Sequence, residues 1–177
     1  SMSQLEPPNS KEIEEAVLGA LLLDHSAYKR IEGEISSASF YHPYHAQVFQ
    51  SIQKLGEANK DIDLLTVSMQ MKDEKTLATV GGPFFVSYLT NTNASSLHLE
   101  THVVVLKELH ARRSCLNMAL NLQRMIGNKK SANELIEFIQ QSTDGMQTKK
   151  SGTVKRASEM AREFLKYVDR LATLEVG

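Results

Sequence analysis

Tryptophan is absent from this sequence and cysteine occurs once. A lone Cys115 excludes an internal disulfide framework and fits a reducing cytosol. No apolar run reaches the roughly 18 residues that a membrane-spanning helix needs, and no signal peptide is evident. Neither sign of charge dominates: 20 Lys and Arg against 21 Asp and Glu leave a formal charge of -1. A domain that grips nucleic acid by itself usually carries a basic excess, so tight independent DNA or RNA binding is not expected. The chain lacks GxxxxGK[ST], GxGxxG, HExxH and CxxC. The nearest imitation of a phosphate loop, Gly127-Asn128-Lys129-Lys130-Ser131, has no second glycine before the lysine and follows no strand pattern. Period-2 alternation is missing too. Val103-Val104-Val105-Leu106 is β-branched, yet it lies inside a helical pattern. These absences leave an all-α chain without a catalytic signature.

What is present centres on Leu99 to Ile126, which has neither Pro nor Gly. As one helix it would run roughly 40 Å. Val105, Leu109, Leu116, Ala119 and Ile126 fall on a 4-3-4-3 seam, with Arg112 and Gln123 filling two of its places. Cys115, Met118, Leu122 and Met125 form a second apolar row beside it. The stripe is wider than one partner helix needs. Gly127-Asn128 reads as its end, and Ser131 to Glu134 as a capping box opening a second helix with Leu135, Ile136, Phe138, Ile139 and Met146. The pair is a helical hairpin. Periodicity leaves two readings open for the spare apolar surface: a subunit interface, or burial by the domain's own core.

Ahead of the hairpin, Pro7-Pro8-Asn9-Ser10 is a stop-and-start signal, with Asn9 or Ser10 as helix cap. The first helix carries Ile13, Ala16, Val17, Ala20 and Leu21, and Gly19 suggests close approach by another helix. A short helix is expected over 27–35 and a loop over 36–40. A helix should start at Pro43 or Tyr44 with His45, Val48, Phe49, Ile52 and Leu55 inward. Another spans Ile62 to Met71, opened by Asp61 or Asp63, and Phe84 to Leu89 follows the Gly81-Gly82-Pro83 break. After the hairpin, Asp144 to Thr153 reads as a flexible linker. Ala157, Ala161, Phe164, Val168 and Leu171 then mark a lone amphipathic helix with no obvious core to join. Such a helix usually docks on a partner.

The chemistry-bearing side chains have structural readings. His98 and His102 share a helix face at i,i+4 and could seed a metal site, but no third ligand is obviously placed, so exposed polar histidines are expected. His45 reads as a hydrogen-bonded histidine at the core edge beside His42. Glu12, Glu14 and Glu15 sit near a helix N-terminus, where the dipole favours anions. Cys115, on an apolar row, reads as a buried thiol, and Lys149, Lys150, Lys155 and Arg156 as solvated linker charge.

Several stretches taken together resemble one family. They are Pro7-Pro8-Asn9 with Glu15 to Asp24 (EAVLGALLLD), Phe40, His45, Val48-Phe49, Ile62-Asp63-Leu64, Thr66-Val67, Gly81-Gly82, Tyr88-Leu89, Leu106-Lys107-Glu108 and Arg112-Arg113. In that order and spacing they resemble the N-terminal domain of DnaB-type replicative DNA helicases, over about residues 7 to 147 and more loosely the linker helix to about 174.

The resemblance implies a non-catalytic collar of a hexameric ring, built from dimers that meet through the hairpin and serving as a dock for the primase C-terminal domain. A helicase loader is a further implied partner, and DNA is engaged only through the full ring. A linker helix would pack on the neighbouring subunit's RecA-like motor, and ATP and Mg²⁺ belong to that motor, not to this fragment. The implied location is the cytoplasmic replication fork. The expected organisation is a tag scar and tail over 1–8, a helical globule over 9–96, the hairpin over 97–147, a linker over 148–155 and the linker helix over 156–177. Hairpin or primase contacts are expected of Val105, Leu109, Leu116, Met118, Leu122, Met125, Ile126, Leu135, Ile136 and Ile139. Linker-helix docking is expected of Phe164, Leu165, Val168 and Leu171. The rival readings are an all-α DNA-binding regulator and a small metal enzyme using His98 and His102.

Overall fold

The computed structural model describes residues 5–92, 95–146 and 152–174, the last stretch with side chains from 161 onward. Helices in order are α1 (Lys11–Leu23), α2 (Ala27–Ile31), α3 (Pro43–Glu57), α4 (Leu64–Asp73), α5 (Leu77–Val80), α6 (Pro83–Asn91), α7 (Leu99–Gly127), α8 (Ala132–Asp144) and α9 (Gly152–Leu174). Two 3₁₀ turns, Ser37–Ser39 and Ser96–His98, join them, and the described residues contain no strand.

Local chemistry sets most of the boundaries. Ser10, not Asn9, caps α1: its Oγ accepts from the Ile13 N–H at 3.3 Å. Asp63 opens α4 in a reciprocal box, accepting from the Thr66 N–H at 2.8 Å while its own N–H donates to Thr66 Oγ1 at 2.9 Å. Pro43 and Pro83 stand in the first turns of α3 and α6, where a missing N–H costs nothing. The predicted Ser131–Glu134 box opens α8. The end of α7 differs from expectation. Gly127 is its last helical residue, and Lys129 takes the left-handed position at φ +57°. The Lys130 N–H then reaches back to the Met125 carbonyl at 3.0 Å and the Lys129 N–H to that of Ile126 at 3.0 Å, the paired bonds of a Schellman turn. The linker expectation is shortened, because α9 begins at Gly152; 148–151 lie outside the described residues.

Helix α1 is the centre of the globule. Val17, Leu18 and Leu21 are fully buried, and α1 packs against α3, α6 and α7. Phe49 and Ile52 of α3, Met71 of α4 and Leu89 of α6 close around it. The first half of α7 inserts Leu99, Val103, Val105, Leu106 and Leu109 into the same core. Its second half leaves the globule with α8 alongside, and α8 contributes no fully buried side chain.

At Gly56 of α3 a Cβ would lie 2.1 Å from Cε1 of the buried Tyr28 ring. Only glycine lets α2 and α3 approach this closely. Gly56→Ala should therefore destabilise the fold by about 1–3 kcal/mol in urea unfolding, and the penalty should shrink in a Tyr28→Ala background.

Candidate assembly surface

A buried polar junction ties the arm to the globule. Glu14, on the inner side of α1, is fully buried. Its carboxylate accepts from the Tyr41 N–H at 3.1 Å and the His42 N–H at 3.2 Å, and lies 2.9 Å from His45 Nδ1. Arg113 of α7 donates to the Pro8 carbonyl at 2.8 Å and the Ser39 carbonyl at 2.9 Å, with its guanidinium 5.7 Å from the Tyr41 ring centre. The helix-dipole reading of Glu14 is thus corrected. Its side chain turns inward and stitches the 3₁₀ turn and the start of α3 to α1, a structural use of a carboxylate. His45 is the hydrogen-bonded core-edge histidine expected.

The predicted interface residues divide along α7. Val105 is 0% exposed and Leu109 3%, both sealed in the chain's own core, so neither is offered to a partner. At those positions the 4-3-4-3 seam faces α1 and its neighbours. Past Arg113 the same periodicity faces no globule. Leu116, Met118, Leu122 and Met125 of α7 and Leu135 of α8 are half-buried. Ile126, Ile136 and Ile139 are exposed, Ile126 at 62%. Cys115, expected to be buried, is exposed, because its row has already cleared the globule.

Helix α9 does find a core to join, contrary to expectation. It packs on α7, where Ala161 is buried, Leu165 is 8% exposed, Phe164 and Val168 are half-buried and Leu171 is exposed. Phe164 lies 6.2 Å from the His102 ring, and Arg112 donates to Asp169 at 3.2 Å. His102 is therefore not the exposed histidine expected: its Nδ1 is buried without a hydrogen-bond partner. Burial, and to a smaller degree the neighbouring His98, holds its pKa below the usual histidine value. The two rings are 6.4 Å apart, and the described residues hold no cluster of three His, Cys, Asp or Glu suited to a metal.

Sequence reasoning missed one surface feature. Leu64, Leu65 and Ser68 of α4 and Pro83, Phe84 and Ser87 of α6 line an open apolar groove of about 690 Å³. The signal was Phe84-Phe85: adjacent helical residues cannot both face one core. Phe85 packs inward and Phe84 is 88% exposed.

A model of the DnaB-like helicase N-terminal domain matches residues 6–108. The chain belongs to that family. Over 134 residues it is 32% identical to the replicative DNA helicase DnaB of Rhodothermus marinus, covering 76% of this chain and 14% of that protein. Over 113 residues it is 34% identical to the Treponema pallidum replicative DNA helicase DnaB, covering 64% of this chain and 26% of that protein. The chain thus spans between about a seventh and a quarter of the length of these curated relatives. The fold is that of the N-terminal domain of DnaB helicase from Mycobacterium tuberculosis, with a TM-score of 0.73, 20% identity, 80% of this chain covered and 100% of that one. It is shared by a DnaB-like replicative helicase whose structure was described with its interactions with primase, with a TM-score of 0.68, 19% identity and coverage of 90% of this chain and 37% of that one.

Glu14→Ala removes the acceptor of two partly buried backbone N–H groups and should cost about 1–3 kcal/mol in thermal unfolding. Glu14→Gln, which keeps one acceptor oxygen, should cost less. Equal losses would contradict the hydrogen-bonding role.

Proposed function

We propose that this chain is the collar module of a hexameric replicative helicase, pairing subunits through the α7–α8 hairpin and offering that arm to the C-terminal domain of primase. The observation that carries the reading is an arm that projects from a complete core and keeps exposed Ile126, Ile136 and Ile139 beside half-buried Leu116, Met118, Leu122, Met125 and Leu135. A chain folding only for itself has no use for that row. Membership of the helicase N-terminal domain family supports the same assignment.

On this reading the fragment does no chemistry. ATP and Mg²⁺ would be held by a motor domain outside these 177 residues, and DNA and a loader would be met by the whole ring. The exposed Leu171 and half-buried Val168, with Phe164 and Leu165, supply a face by which α9 would dock on a neighbouring subunit. The setting would be the cytoplasmic replication fork. Among the described residues, no helix is long and apolar enough to cross a membrane.

The test is calorimetric titration with the cognate primase C-terminal domain, with mass by light scattering on the same sample. Saturable binding or a defined oligomer is expected from the wild-type chain. Ile136→Asp with Ile139→Asp should weaken self-association or primase binding at least tenfold, about 1.4 kcal/mol, without changing the thermal transition of the globule. Unchanged binding and mass in that variant would rule out the arm as the contact.

A further inference from the structure

The face of α9 credited above with docking elsewhere is already in use. Ala161 and Leu165 are buried against α7, Phe164 lies tilted 6.2 Å from the His102 ring, and Tyr167 continues the row of rings 6.0 Å from Phe164. One apolar row cannot occupy two seats. From this geometry we infer that α9 and α7 form a self-docked latch: α9 must leave the α7 of its own chain before it can engage a neighbour, and half-buried His102, beside Phe164, is the side chain that controls release. The inference rests on the reading of α9 as a docking helix, but the latch itself is a property of this chain alone.

His102 suits the role by its surroundings. Its Nδ1 is shielded and unpaired, so among the described residues a proton placed there would find no acceptor. His98, from the adjoining turn, adds repulsion and no neutralising charge. The carboxylate of Glu100, also on α7, is held by Arg30 of α2 through two hydrogen bonds at 2.7 and 2.6 Å. Across the contact, α9 presents the Phe164 ring, while Arg162, Glu163 and Lys166 are exposed. Asp169 is taken by Arg112. Burial holds the pKa of His102 below its usual value, so the docked state binds the proton less well than the released state. Docking is therefore at full strength above about pH 6.5, the ordinary histidine value, and weakens as pH falls below it. Each unit of depression supplies about a tenfold change in the docking equilibrium. A partner that competes for Phe164 and Leu165 would open the same latch at neutral pH.

The single native cysteine makes this measurable. Cys115 is exposed on α7, and Arg170 is exposed on α9. Spin labels at Cys115 and at Arg170→Cys report the α7–α9 separation by pulsed dipolar spectroscopy in the full chain. A narrow distance distribution is expected at about pH 8 and a longer, broader one at about pH 5, below the usual histidine value. His102→Leu should keep the narrow distribution at both pH values, and Phe164→Ser should give the broad one at both. Far-ultraviolet circular dichroism on the same samples checks that the globule stays folded. A broad distribution in the wild type at pH 8 would overturn the self-docked state. A pH response that survives in His102→Leu, or none in the wild type, would overturn the control by His102. None of these outcomes depends on primase binding or oligomer mass, so failure of the latch and failure of the collar reading are distinguishable.

Discussion

Everything in this molecule depends on one helix serving two environments. From Leu99 to Leu109, α7 is a core helix, with Leu99, Val103, Val105, Leu106 and Leu109 sealed among the packed helices. Burying a side chain of that size contributes roughly 1.5–3 kcal/mol, so this half is anchored firmly. Beyond Arg113 the described residues of the same helix include no fully buried side chain, and α8 and α9 are among the elements packed on α7. A continuous α-helix cannot bend its hydrogen-bond ladder away cheaply without Pro or Gly, and α7 has neither before its last residue. The arm therefore continues the axis of the anchored half, which sets its angle.

The anchor is polar as well as apolar. Arg113 sits where α7 leaves the globule and fastens it to the Pro8 and Ser39 carbonyls, while Glu14 organises the backbone of Tyr41 and His42 from the opposite side. A buried charge is tolerated only when its hydrogen bonds are made. Here each charged group holds a carbonyl or amide that loop geometry would otherwise leave unpaired. The N-terminal segment, the 3₁₀ turn, α3 and the base of the arm are thereby locked in one register.

Much of this was legible in the residues. The all-α class, the hairpin, the Pro43 start, the Asp63 cap and the Ser131 box follow from helical spacing and capping chemistry, which act over a few residues. What escaped was set by tertiary geometry. A 4-3-4-3 seam looks the same whether a globule or a partner faces it, so Val105 and Leu109 could not be told from Leu116 and Ile126. The same ambiguity put Cys115 inside and left α9 without a seat, although α7 provides one. Glu14 was misread because its place in a first helical turn says nothing of whether the side chain points to solvent or to Tyr41. The groove beside Phe84 needed only a closer look at two adjacent phenylalanines.

If α7 divides into an anchored base and the pairing arm we propose, amide hydrogen exchange resolved along that helix will separate the two halves. Amides from Val103 to Arg113 are expected to exchange only through global unfolding, at rates independent of protein concentration. Amides from Asn117 to Gly127, and those of α8, should open locally in dilute solution and slow as concentration rises and arms pair. Uniform protection along α7, or an arm whose exchange ignores concentration, would contradict that division.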